Sequence, residues 1–155
     1  TGRIGAVSLD NIFVPDGAYC LLDRTRAKGS IVVGTGARLT ATSVVVNGNL
    51  QAEGAADVTV NGYSTFGGSV QIVKGGSASV ARARINGDIL FDENVGPLAA
   101  TSNTVGGDLQ AFKNMAGVSL ISNRMGGNLQ CKENIPAPTG RGNRADSKED
   151  QCARL

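Results

Sequence analysis

The sequence predicts an all-β solenoid of about six stacked, three-sided turns of 19–20 residues. Three observations predict it: a glycine register that repeats at that period, apolar and polar residues alternating after each glycine, and asparagines recurring at the same period. The register glycines are Gly29, Gly48, Gly68, Gly87, Gly107 and Gly127, with spacings of 19, 20, 19, 20 and 20.

The alternation defines the first strand of each turn. Two residues after each glycine stand Ile31, Leu50, Val70, Ile89, Leu109 and Leu129. Four residues after it stand Val33, Ala52, Ile72, Phe91, Ala111 and Cys131. The first position between is always polar, Ser30, Asn49, Ser69, Asp88, Asp108 and Asn128, and the next is mostly glutamine, Gln51, Gln71, Gln110 and Gln130, with Val32 and Leu90 as exceptions. Period-two alternation puts one set inward and the other outward. Apolar residues also precede each glycine by two, and a middle segment alternates at Val58 and Val60, Ala78 and Val80, and Val118 and Leu120. Each turn therefore carries three short strands that pair in parallel with their counterparts, ~4.8 Å along a common axis.

The corners have their own signature. Asn94, Asn114 and Asn134 form one series and Asn103, Asn123 and Asn143 another, each at a spacing of 20. Asparagine tolerates left-handed backbone, and stacked side-chain amides can bond one another and the neighbouring turn. Both series are expected to be structural ladders.

This combination resembles right-handed parallel β-helices, the architecture of pectate lyases, tailspikes and bactofilins, over about Gly29 to Asn143. The segment from Gly127 to Gly140 also resembles the ends of secreted bacterial β-helix proteins. The resemblance implies a fold and carries no activity with it.

One domain is expected over residues 1–155. Residues 1–27 are read as an N-terminal cap and first partial turn, with Ile4, Val7, Leu9, Ile12, Phe13 and Val14 lying over the core. Residues 28–134 are the regular turns, and 135–155 a C-terminal cap, with Pro136 and Pro138 helping to stop pairing. Cys131 is inward in the last regular turn and Cys152 lies 21 residues on, about one turn, so the two are expected to form a disulfide. Such a bridge implies an oxidising compartment. With Thr1 rather than Met in first position, the chain is read as secreted or periplasmic, its signal peptide removed.

Composition narrows the function. The chain has no histidine, which excludes Ser-His-Asp and Cys-His catalysis and every histidine metal site. No catalytic residue is assigned, and the chain is read as a non-enzyme. The net charge of +2 supplies no long-range field toward nucleic acid, and no apolar run is long enough for a membrane span. No cofactor is required.

Three outward stripes are candidate surfaces. Asp88, Asp108, Asn128, Gln110 and Gln130 form a flat ladder suited to sugar hydroxyls, and Asp88, Asp92 and Asp108 are the weak candidate ligands for Ca²⁺, a cation that prefers oxygen. Arg84, Arg124 and Arg144 share one turn position, with Thr104 between and Arg82 nearby, and could meet an anionic polymer. Leu90, Val73 and Phe112 fall outward by the alternation rule and would mark a partner surface. The expected role is a scaffold or surface-binding module, monomeric or weakly self-associating, whose partner is a polysaccharide or another protein surface. The alternatives are a carbohydrate-binding module or minimal Ca²⁺-dependent polysaccharide lyase, and a bactofilin-like self-associating structural protein.

Overall fold

The computed structural model describes residues 1–155 and is a parallel β-solenoid without helices. Each coil gives one strand to each of three parallel sheets. The first face has eight strands, beginning with Gly2–Ile4 and Tyr19–Asp23 and ending with Val118–Ile121 and Thr139–Arg141. The second is narrow, with seven two-residue strands from Ser8–Leu9 to Arg124–Met125 and a single bridge onward from Arg124 to Arg144. The third has eight strands, from Ile12–Val14 and Ile31–Val33 through Ile89–Asp92, Leu109–Phe112 and Leu129–Lys132 to Lys148–Asp150.

Residues one period apart are vertical neighbours throughout. Leu109 pairs with Leu129 and Gln110 with Gln130, and Val58 pairs with Ala78. Inward residues of all three faces merge into one cluster of 36 buried apolar residues, in which Phe66 and Phe91 are the sole aromatics. A core this thin is filled mainly by Val, Ile, Leu and Ala, with Phe66 and Phe91 its largest members.

The coil count differs from the sequence reading. There are seven complete coils and a partial eighth, because residues expected to lie over the first turn are themselves a coil. Gly2–Ile4, Ser8–Leu9 and Ile12–Val14 pair in register with Cys20–Leu22, Arg26–Ala27 and Ile31–Val33. At the other end pairing resumes past Pro136 and Pro138, with Thr139–Arg141 on Ser119–Ile121 and Lys148–Asp150 on Leu129–Cys131.

The glycine register has a packing cause. A Cβ on Gly107 would run into the carboxylate of Asp88, and one on Gly127 into that of Asp108. Gly29, Gly48, Gly68 and Gly87 are crowded in the same way by Asn11, Ser30, Asn49 and Ser69. Asp10 holds the equivalent position of the first coil, since Gly29 N–H donates to its carbonyl. Its side chain is 88% exposed, so a side chain fits there. The first coil therefore lacks the glycine that marks the others.

Both asparagine series are internal ladders. Asn114 Nδ2 donates to Phe91 O at 3.0 Å and to Asn134 Oδ1 at 2.9 Å. Its Oδ1 accepts the Asn94 backbone N–H at 3.1 Å and Asn94 Nδ2 at 3.0 Å. Asn123 repeats the pattern between Asn103 and Asn143, with Nδ2 reaching Ala100 O. The residue before each ladder asparagine is left-handed, as at Glu93 (φ 55°), Lys113 (φ 53°), Ser102 (φ 56°) and Ser122 (φ 56°). That conformation costs a non-glycine residue roughly 1–2 kcal/mol. The amide bonds that follow offset it and turn each corner inward.

The C-terminal end is closed. Gln151 takes the place of the next asparagine: its Oε1 accepts Asn134 N–H at 2.9 Å and its Nε2 donates to Asn134 O at 3.0 Å. Cys131 and Cys152 form the expected disulfide, with Cα atoms 5.4 Å apart. Both are fully buried. A disulfide is consistent with an extracellular or periplasmic location. Cys20 is free and half-buried, and burial raises its thiol pKa above the ordinary value.

Candidate functional site

The third face carries the sequence-predicted sugar ladder, and the structure separates its residues into two roles. Asp88 and Asp108 stand at the corner that opens the third face. Asp88 Oδ1 accepts the Asp108 backbone N–H at 2.7 Å, and Asp108 Oδ1 accepts that of Asn128 at 2.7 Å. The same bond runs from Ser30 N–H to Asn11, Asn49 N–H to Ser30, Ser69 N–H to Asn49 and Asp88 N–H to Ser69. Each side chain here satisfies the backbone of the next coil. This third ladder and the register glycines are one device: the oxygen fills the space that the missing Cβ leaves.

Asp92 closes the same strand and pairs in register with Val73 and Phe112, one strand length from the Asp88 corner. Asp88, Asp92 and Asp108 do not converge, and no group of three or more acidic or cysteine side chains has metal-binding geometry.

The outward column of the third face runs Phe13, Val32, Gln51, Gln71, Leu90, Gln110, Gln130 and Glu149. Gln110 Nε2 donates to Gln130 Oε1 at 2.8 Å, and Gln130 Nε2 donates to Glu149 Oε2 at 3.1 Å. Ser147 Oγ donates to the other carboxylate oxygen at 2.7 Å. These bonds from Ser147 and Gln130 hold the Glu149 pKa below its ordinary value. A lowered folded-state value means that ionised Glu149 stabilises the last coil fully above the ordinary glutamate range. That contribution fades as pH falls through the depressed value. The expected result is that Glu149→Gln lowers the urea midpoint at neutral pH, and that the gap from the parent chain closes on acidification. A gap that widens in acid would contradict the assignment.

The apolar residues read as one stripe fall in two columns. Leu90 lies between Gln71 and Gln110, whereas Val73 and Phe112 flank Asp92. All three are half-buried rather than prominent. The exposed apolar groups of this face are Phe13 and Val32, 64% and 38% exposed. Val32 lines an open depression of about 460 Å³ with Thr35, Gln51, Glu53, Gln71 and Val73. Phe13 was assigned to the cap in the sequence. Its place between Ile12 and Val14 matches that of Val32 between Ile31 and Val33, which is the signal that identifies it as outward.

The second face holds the basic stripe. Its first outward column runs Ser8, Arg26, Val45, Thr65, Arg84, Thr104, Arg124 and Arg144. Arg26 was not picked out in the sequence, although it precedes Gly29 by three residues as Arg84 precedes Gly87 and Arg124 precedes Gly127. The four arginines are exposed, and the chain's ion pairs all involve other basic residues. Arg82 lies at the preceding corner over the ring of Tyr63, 5.8 Å from its centroid.

The geometry defines a class, the parallel β-solenoids with three flat faces and internal polar ladders. Compared with protein-family models, curated proteins and solved structures, the chain matches none.

Proposed function

We propose that the chain is a non-enzymatic, secreted or periplasmic rod that serves as a scaffold and surface-binding module. The observation that carries this reading is the flatness of three uninterrupted faces. Coils of 19–20 residues leave no loop to wall off a groove, and strand follows corner without insertion. Catalytic sites need titratable groups gathered in a recess. Here the carboxylates of Asp88 and Asp108 serve the backbone of the next coil instead.

A Ca²⁺-dependent lyase is less well supported, because Asp92 stands apart from that pair. Filament growth of the bactofilin kind requires two open ends. The disulfide and Gln151 close one of them. The test is retention of the purified chain on insoluble polysaccharides and cell-envelope preparations, with the supernatant assayed for released sugar. Retention without release is expected. Release of reducing or unsaturated ends would replace the module with an enzyme, and retention on nothing offered would remove the binding role.

A further inference from the structure

The near balance of the whole chain conceals a segregation of charge. Arg26, Lys28, Arg84, Arg124 and Arg144 all occupy outward positions of the second face or its edge, where Asp10 and Asp146 are the acidic residues. Lys28 pairs with Asp10 at 3.6 Å. The third face instead presents Gln51, Gln71, Gln110, Gln130 and the acids Glu53, Asp92, Glu149 and Asp150 against the bases Lys132 and Lys148. Asp88 and Asp108 stand at the corner between the two faces, with one carboxylate oxygen each bonded to backbone. One face of a nearly neutral rod is therefore a straight basic track.

The spacing along the track follows from the coil count. Arg26 and Arg84 are three coils apart, Arg84 and Arg124 two, and Arg124 and Arg144 one. At ~4.8 Å per coil the column spans roughly 29 Å. Between the arginines stand the hydroxyls of Thr65 and Thr104. Beside the column, Gly67, Gly106 and Gly126 leave the surface low, since a Cβ at each would strike the carbonyl oxygen of the coil below. Asn47 and Asn86 contribute amides where the track opens into a depression of about 450 Å³ with Thr65 and Arg84.

We propose that this face docks an acidic polysaccharide lying along the rod axis, with its carboxylate or sulfate groups on the arginines and its hydroxyls on the threonines and asparagines. The proposal rests on the binding-module reading and names the face and the ligand class. Arginine presents a planar fork of donors suited to both anions. The alternation of charged with hydroxyl and amide groups fits a chain whose acidic groups are separated by neutral, hydroxyl-bearing sugars. Single-stranded nucleic acid fits less well, because base binding relies on successive aromatic platforms, and the one exposed ring at the edge of this face, Tyr63, has Arg82 over it.

The test uses the purified chain with polygalacturonate, heparin, neutral dextran and a single-stranded DNA oligonucleotide as probes. One variant combines Arg84→Gln, Arg124→Gln and Arg144→Gln. A second, of equal net charge, combines Lys74→Gln, Lys113→Gln and Lys132→Gln away from the track. The parent chain is expected to bind polygalacturonate, heparin or both and to ignore dextran; binding to polygalacturonate shows that carboxylates suffice, and binding to heparin alone shows that sulfate is required. The arginine variant is expected to bind at least about tenfold more weakly, with a shallower salt dependence, while the lysine variant keeps parental affinity. Equal weakening in the two variants, tighter binding to DNA than to either polysaccharide, or no binding to either acidic polymer would overturn the proposal. Retention on an envelope preparation that survives the arginine changes would sink this face alone and leave the module intact.

Discussion

Replacing Asn114 with alanine will destabilise the rod by about 4 kcal/mol, because it strands several buried polar groups at once. The side chain donates to Phe91 O and Asn134 Oδ1 and accepts from the backbone and side chain of Asn94. It is fully buried. The ladder is sealed from solvent, and each orphaned group costs roughly 1–3 kcal/mol. The left-handed Lys113 also loses the partner that holds its corner. Gln130→Ala is the control. Its bonds to Gln110 and Glu149 lie half-exposed, where water replaces them, and about 1 kcal/mol or less is expected. Urea unfolding at constant slope measures both. An Asn114 variant no weaker than the Gln130 variant would show that the ladder is decoration.

The second large effect is at the stapled end. Converting Cys131 and Cys152 together to alanine removes a bridge that spans 21 residues. The chain-entropy estimate for a loop of that size is about 3 kcal/mol. In a solenoid each coil touches its neighbours alone, so the loss should stay local. Hydrogen exchange is expected to quicken in residues 139–155 while the strands from Ile31–Val33 to Ile89–Asp92 keep their protection. Uniform loosening of all coils would mean that the rod opens as one unit and that the staple serves all of it.

The vertical stacking of Leu109 on Leu129, the asparagine ladders and the disulfide were legible in the sequence because each depends on period and side-chain type. What escaped depends on atoms that a period does not reveal. The alternation places Asp88 and Asp108 outward but is silent on the N–H groups of the following coil, to which one oxygen of each is committed. The first coil escaped because its register position is Asp10, and glycine is needed there where a coil lies beneath. Arg26 escaped because Val45 and Thr65 interrupt the column before Arg84. Net charge sums over three faces and cancels the separation between them.

From Gly87 to Gly127 the period is a constant 20 residues, and the coils beginning at Gly87, Gly107 and Gly127 present the same asparagine corner groups to one another. A tandem copy of residues 107–126 inserted after Gly126 would meet the same asparagine rungs above and below as the original, with Ala111 in place of Phe91 beneath its Ala111. Length can therefore change in whole steps of ~4.8 Å without a new join to invent. Duplication of twenty codons is the natural unit in which the length of such a rod is reset.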